Sequence, residues 1–142
     1  ATLRLARQQA EREDTSPAAT ELKLSKQQIF AARHEALHVH MAEPVEQYLV
    51  QLVLASRAPA PYSEELARWV SYGASPRATI ALDRCARAHA WLNDRDYVSP
   101  ADVQAVAFDV LRHRVLVSFE AEAEGMDADD VIRELLKLIP VA

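Results

Sequence analysis

Apolar residues along this chain recur mainly every three to four positions, the spacing that gathers them on one face of a helix. Leu3, Ala6 and Ala10, with Arg7 among them, predict a first helix over 3–13. Residues 14–24 read as a loop, because Asp14, Thr15 and Ser16 compete with the helix backbone and Ser16 precedes a proline. Ser25 and Gln28 then match a capping box, each side chain able to satisfy a backbone donor of the other residue, and Ile29, Phe30, Arg33 and Leu37 follow on one face. At the end of that helix His38-Val39-His40 has the makings of a short strand. Pro44 suits the first turn of a further helix carrying Val45, Leu49, Leu52 and Val53. Arg57 to Tyr62, with Pro59 and Pro61, is a loop, and Leu66 to Val70 is either a turn of helix or a strand.

The second half of the chain is more regular. Ser75-Pro76 reads as an N-cap and a first-turn proline, followed by a stripe of Ala78, Ala81, Leu82, Cys85, Ala88, His89 and Leu92. Ser99-Pro100-Ala101-Asp102 repeats the start signal ahead of Val103, Val106, Ala107, Val110 and Leu111. Asp127 and Asp130 open a last helix with Val131, Ile132, Leu135, Leu136 and Ile139, stopped at Pro140. The pattern predicts an all-α bundle of about six helices with at most one token strand pair.

Composition narrows what such a bundle can do. There are only two glycines, Gly73 and Gly125, far apart in the chain. Phosphate-binding and dinucleotide-binding loops need two or three within about six residues, so neither loop exists here. A net charge of −5 without a long basic run argues against nucleic acid or an anionic membrane as partner. The single cysteine, Cys85, cannot close an internal disulfide and falls in an apolar helical pattern, which points to a reducing, cytoplasmic setting. No run approaches the roughly 18 apolar residues of a membrane span, and Arg4 places a charge close to the first residue, unlike a leader peptide. The start at Ala1 in place of methionine suggests a piece of a longer protein.

Two places carry possible chemistry. His34-Glu35-Ala36-Leu37-His38 has the form of a zinc-binding helix, with two histidines one turn apart and a glutamate to polarise water. The longer form of that motif wants a glycine where Met41 stands and a further histidine beyond it, and His40 is too close to serve. The expectation is therefore no metal site, the histidines simply favouring a helix C-terminus. Arg77 is the stronger candidate. In the first turn of its helix it adds a planar donor fork to backbone N–H groups and a dipole that already favour an anion. A cation there opposes the dipole unless an anion relieves it, which is otherwise a cost for a merely solvated arginine. Arg112-His113-Arg114 complements a helix C-terminus, and Glu120, Glu122 and Glu124 read as a solvated acidic edge. His89 and Trp91 are read as packing residues.

The stretch Tyr72-Gly73-Ala74-Ser75-Pro76-Arg77-Ala78 resembles the sensor 2 motif of MoxR-type AAA+ ATPases. Asp94-Arg95-Asp96-Tyr97-Val98, then Val110 to Arg114 and Ser118-Phe119-Glu120-Ala121-Glu122, continue the likeness in order and spacing over roughly Ser71 to Leu136. The C-terminal helices are also similar to the lid of magnesium-chelatase ATPase subunits. The resemblance implies that 1–142 is one lid domain: a first helix at 1–13, a loop at 14–24, N-terminal helices and linker at 25–66, and the sensor 2 and C-terminal helices at 67–140. It implies that Arg77, presented by Ser75 and Pro76 after a turn opened by Gly73, approaches the γ-phosphate of ATP. The ATP and its Mg2+ would be held by an α/β core ahead of Ala1, so that the lid alone is not catalytic and needs no cofactor of its own. Further implied partners are that core, neighbouring subunits of a homo-oligomeric ring, and a client protein remodelled in chaperone-like fashion. The alternatives are an interaction module without a nucleotide role, using the acidic edge and Arg112 to Arg114, or zinc at His34 and His38.

Overall fold

A computed structural model describes residues 23–141, and the expected helix at 3–13 and most of the loop at 14–24 lie outside them. Two compact units divide the chain, Ala1–Ala31 and Ala32–Ala142. In the first, the Ser25 N–H donates to Gln28 Oε1 at 2.7 Å and the Gln28 N–H to Ser25 Oγ at 3.2 Å, the predicted capping box. It starts α1 (Lys26–His38), a helix that buries none of its residues.

The second unit follows from the periodicity. α2 (Glu43–Arg57) begins at Pro44 and buries Val45, Leu49, Leu52 and Val53 as expected, together with Tyr48, Ala55 and Ser56. α3 (Glu64–Trp69) is capped by Ser63, whose hydroxyl accepts from the Leu66 N–H at 3.2 Å. It passes directly into β2 (Val70–Tyr72), so the segment left between helix and strand is both in turn. α4 (Arg77–Leu92) and α5 (Pro100–Leu111) form the most extensively packed helix pair, and α7 (Ala128–Leu138) packs against α5 and α2. A five-residue helix, α6 (Phe119–Ala123), links them, capped by Ser118. Leu49, Leu52, Leu66, Leu82, Leu111, Ile132 and Leu135 form the centre of the core.

Seven helices among the described residues make the bundle all-α, with two short strand pairs where one was expected. β1 (His40–Met41) runs parallel to β3 (Tyr97–Val98), and β2 runs antiparallel to β4 (Leu116–Val117). Strands of two or three residues carry no usable alternation, which is why the pattern showed only a hint of β1 at His38 to His40.

The predicted stripe of α4 needs correction. The buried line is Ala78, Leu82, Ala86 and Ala90, spaced four apart, whereas Cys85 and Leu92 are exposed. The small buried alanines let α5 approach closely, while Cys85 and Leu92 of the predicted stripe lie off that line. At the expected helix starts, Ser99 with Asp102 and Asp127 with Asp130 form capping boxes.

Candidate functional site

α4 starts on a tight turn. The Ser75 carbonyl accepts from the Ala78 N–H at 2.8 Å and the Pro76 carbonyl from the Thr79 N–H at 3.1 Å. The N-cap is Pro76, with helical dihedrals, one residue later than the expected Ser75, which contributes its carbonyl to the helix start while its hydroxyl makes no hydrogen bond among the described residues. Arg77 is the first residue of the helix and is exposed. Its guanidinium has no ion pair or hydrogen bond among the described residues, and the first turn holds no acidic side chain. The result is a cation beside the positive end of a sixteen-residue helix with nothing among the described residues to offset it. That arrangement suits an anion with several acceptor oxygens, which a guanidinium fork beside the positive end of a helix can bind.

The loop leading to Arg77 is anchored to the end of α2. Ser56 is fully buried, and its hydroxyl donates to the Val53 carbonyl at 2.7 Å while accepting from the Ala74 N–H at 3.1 Å. Arg57 Nη1 donates to the Ala74 carbonyl at 3.4 Å. Gly73 has no positive φ; it is required by closeness, since a Cβ there would overlap the Ser56 carbonyl and stand 2.5 Å from Arg57 Cα. This corrects the expectation that Gly73 serves to open the turn. A shallow groove of about 580 Å3 runs beside the site, lined by Val50, Val53, Leu54 and Arg57 of α2 and by Pro76, Thr79 and Ile80. Neither Ser56 nor Arg57 was singled out from the sequence, because their partners lie 17 and 18 residues away and no local pattern connects them.

A second polar cluster joins α4 to α5. Asp102 is buried and takes both nitrogens of the Arg95 guanidinium, at 2.6 and 2.5 Å. It also accepts from the Ser99 N–H at 2.8 Å and the Ser99 hydroxyl at 2.7 Å, and His89 Nδ1 lies 2.7 Å from Asp102 Oδ1. Burial pushes the Asp102 carboxyl up, but the bonds from Arg95, Ser99 and His89 outweigh it and hold the carboxyl well below the usual carboxylate range. The capping pattern pointed to Asp102; nothing pointed to Arg95 and His89 as its partners. His89 is thus a polar tie between helices as well as a packing residue.

The remaining candidates are engaged within the chain. The rings of His34 and His38 stack with centroids 4.3 Å apart, and His38 Nδ1 is spent on the His34 carbonyl at 2.7 Å. Glu35 accepts from Trp91 Nε1 at 3.1 Å, and His40 lies in β1. Among the described residues no three His, Cys, Asp or Glu side chains converge as a metal ion requires. Arg112 forks onto Asp129 at 3.1 and 3.0 Å. Arg114 donates to the Val110 carbonyl. The acidic edge is exposed, as expected, and two of its members have partners: Glu120 pairs with Arg68 and Glu124 accepts from Trp69 Nε1, both at 3.1 Å. No described helix is long and apolar enough to cross a membrane.

The fold has known relatives. Residues 64–135, from α3 to α7, match the family described as the AAA lid domain. Chaperone MoxR1 of Mycobacterium tuberculosis is 39% identical over 93 residues, covering 65% of this chain and 25% of that protein. Protein MoxR of Methylorubrum extorquens is 37% identical over 110 residues, covering 72% of this chain and 32% of that protein. A crystal structure from Cytophaga hutchinsonii, provisionally named an ATPase, superposes with a TM-score of 0.81 at 42% identity, covering 84% of this chain and 36% of the other. The chain spans about a quarter to a third of the length of the curated relatives it matches.

Proposed function

The chain belongs to the AAA lid domains of MoxR-type AAA+ ATPases, and on that premise we propose that it senses the γ-phosphate of ATP through Arg77. The observation that carries the reading is the exposed Arg77 guanidinium at the N-terminus of α4, unpaired among the described residues and with no acid in the first turn. Its fork, beside the positive end of the helix, fits phosphate oxygens. Bound ATP supplies the transferable phosphoryl group and the charge that builds up on it. Arg77 then offsets that charge, and Ser75 and Pro76 set the turn that presents it.

The nucleotide and its Mg2+ would be held by a separate α/β core of the same protein, because two distant glycines cannot form a phosphate cradle. In this reading the lid moves with the nucleotide state, contacts neighbouring subunits of a ring and passes the change to a client protein in a cytoplasmic, chaperone-like role. The family and the name of the chaperone relative support that role. Arg112, Glu120 and Glu124, which an interaction module would present to a client, are instead satisfied within the chain, which weighs against that alternative.

The test is Arg77→Ala in the intact ATPase. Turnover is expected to fall about 100-fold or more, the scale for losing one charged donor aimed at developing charge, while nucleotide binding through the core persists. Unchanged turnover, with loss of client binding only, would favour the interaction module.

A further inference from the structure

Resting on Arg77 as the phosphate sensor, we propose that Ser56 and Arg57, the last two residues of α2, are positioning residues that fix where Arg77 stands. The Arg77 side chain has no partner of its own among the described residues, so the reach of its guanidinium is decided by its backbone. That backbone is tied down three residues earlier, at Ala74. The Ser56 hydroxyl accepts from the Ala74 N–H at 3.1 Å, and Arg57 Nη1 donates to the Ala74 carbonyl at 3.4 Å, so consecutive residues hold both backbone polar groups of one residue, in the two peptide units that flank its Cα.

Three features make the tie stiff. The Ser56 hydroxyl also donates to the Val53 carbonyl at 2.7 Å, so both its donor and an acceptor site are used and it has one favoured rotamer. Ala74 and Ser56 are fully buried, out of competition from water. Gly73 lies flat on the Ser56 carbonyl with no side chain between them, and Pro76 restricts the only link between Ala74 and Arg77 besides Ser75. A shift of the α2 C-terminus is therefore carried to Arg77 without slack. A misplacement of about 1 Å is enough to cost a catalytic group much of its effect. α2 becomes the lever through which movement of the lid engages or withdraws the sensor.

The experiment is a kinetic double-mutant cycle in the intact ATPase, with kcat and KM for ATP measured for Ser56→Ala, Arg57→Ala, Arg77→Ala and the two pairs that include Arg77→Ala. Ser56→Ala and Arg57→Ala are each expected to lower kcat about ten-fold with KM within about two-fold of the parent. In the Arg77→Ala background neither should cost anything further, because there is no sensor left to misplace. Arg57 is exposed, so Arg57→Ala carries the test alone if Ser56→Ala does not fold. Unchanged kcat in Arg57→Ala, or losses that simply multiply with that of Arg77→Ala, overturns the inference and leaves the sensor reading standing. A raised KM at unchanged kcat overturns it too, by making Arg57 a direct nucleotide contact. An Arg77→Ala enzyme with full turnover removes the sensor reading itself, and this inference with it.

Discussion

Gly73 occupies a position that no other residue can fill without moving backbone. An added Cβ would overlap the Ser56 carbonyl and sit 2.5 Å from Arg57 Cα, against main chain that has no rotamer to yield. Gly73→Ala is therefore expected to destabilise the fold by at least about 2 kcal/mol, the scale of overpacking a close contact, and a lowered denaturant midpoint at unchanged slope would register it. By contrast Gly125 has a positive φ of 78° and open space around it, so its requirement is conformational. The sequence distinguishes these two cases poorly, since both glycines stand in polar, turn-like surroundings. Arg77 was legible because Pro76 and the apolar stripe behind it locate a helix start within one residue. Ser56 and Arg57 were not, because a serine and an arginine at a helix C-terminus are ordinary there and their partner is reached only when the chain folds back.

At the scale of elements, α4 and α5 are joined by a buried polar clasp within a largely apolar core. Asp102 caps its own helix through Ser99, and the same carboxylate binds Arg95 and His89, so one side chain both starts α5 and ties it to α4. The Asp102 carboxyl is depressed in the fold relative to its ordinary value of 3.8, so the folded state holds its proton less readily than the unfolded chain does. Its contribution is thus complete above pH 4 to 5 and is lost as the pH falls through and below about 4, toward the folded value. Asp102→Asn is expected to cost about 3 kcal/mol at neutral pH, because the Arg95 guanidinium loses its counter-charge while staying partly enclosed. The same substitution should flatten the decline of stability between pH 5 and 2, measured by denaturant titration at each pH; an equally steep decline would move the acid sensitivity to other carboxylates. The three capping boxes, at Ser25, Ser99 and Asp127, were readable because a cap and its partner are three residues apart. The two strand pairs were not, because β1 meets β3 across more than fifty residues through a two-residue register.

For the molecule as a whole, the chain spans about a quarter to a third of the curated relatives it matches, and in the proposed site its described residues offer an anion one arginine and one helix end. That is enough to sense a phosphate placed there and too little to capture a nucleotide from solution. Groups that only touch the far phosphate must offset the loss of translational and rotational freedom by themselves, which for so few contacts leaves a Kd weaker than about 1 mM. The isolated 142-residue chain is accordingly expected to show no ATP hydrolysis, and ATP titrated into it should move backbone amide signals only at high concentration and only around Ser75 to Ala78. Inorganic triphosphate should reproduce those shifts while adenosine should not, since the base and sugar have no part in the contact. Saturation below millimolar, or shifts centred in the groove between Val50 and Ile80 and reproduced by adenosine, would mean that the lid holds the nucleotide base itself. The division of labour between a core that binds and a lid that senses would then have to be redrawn around α2.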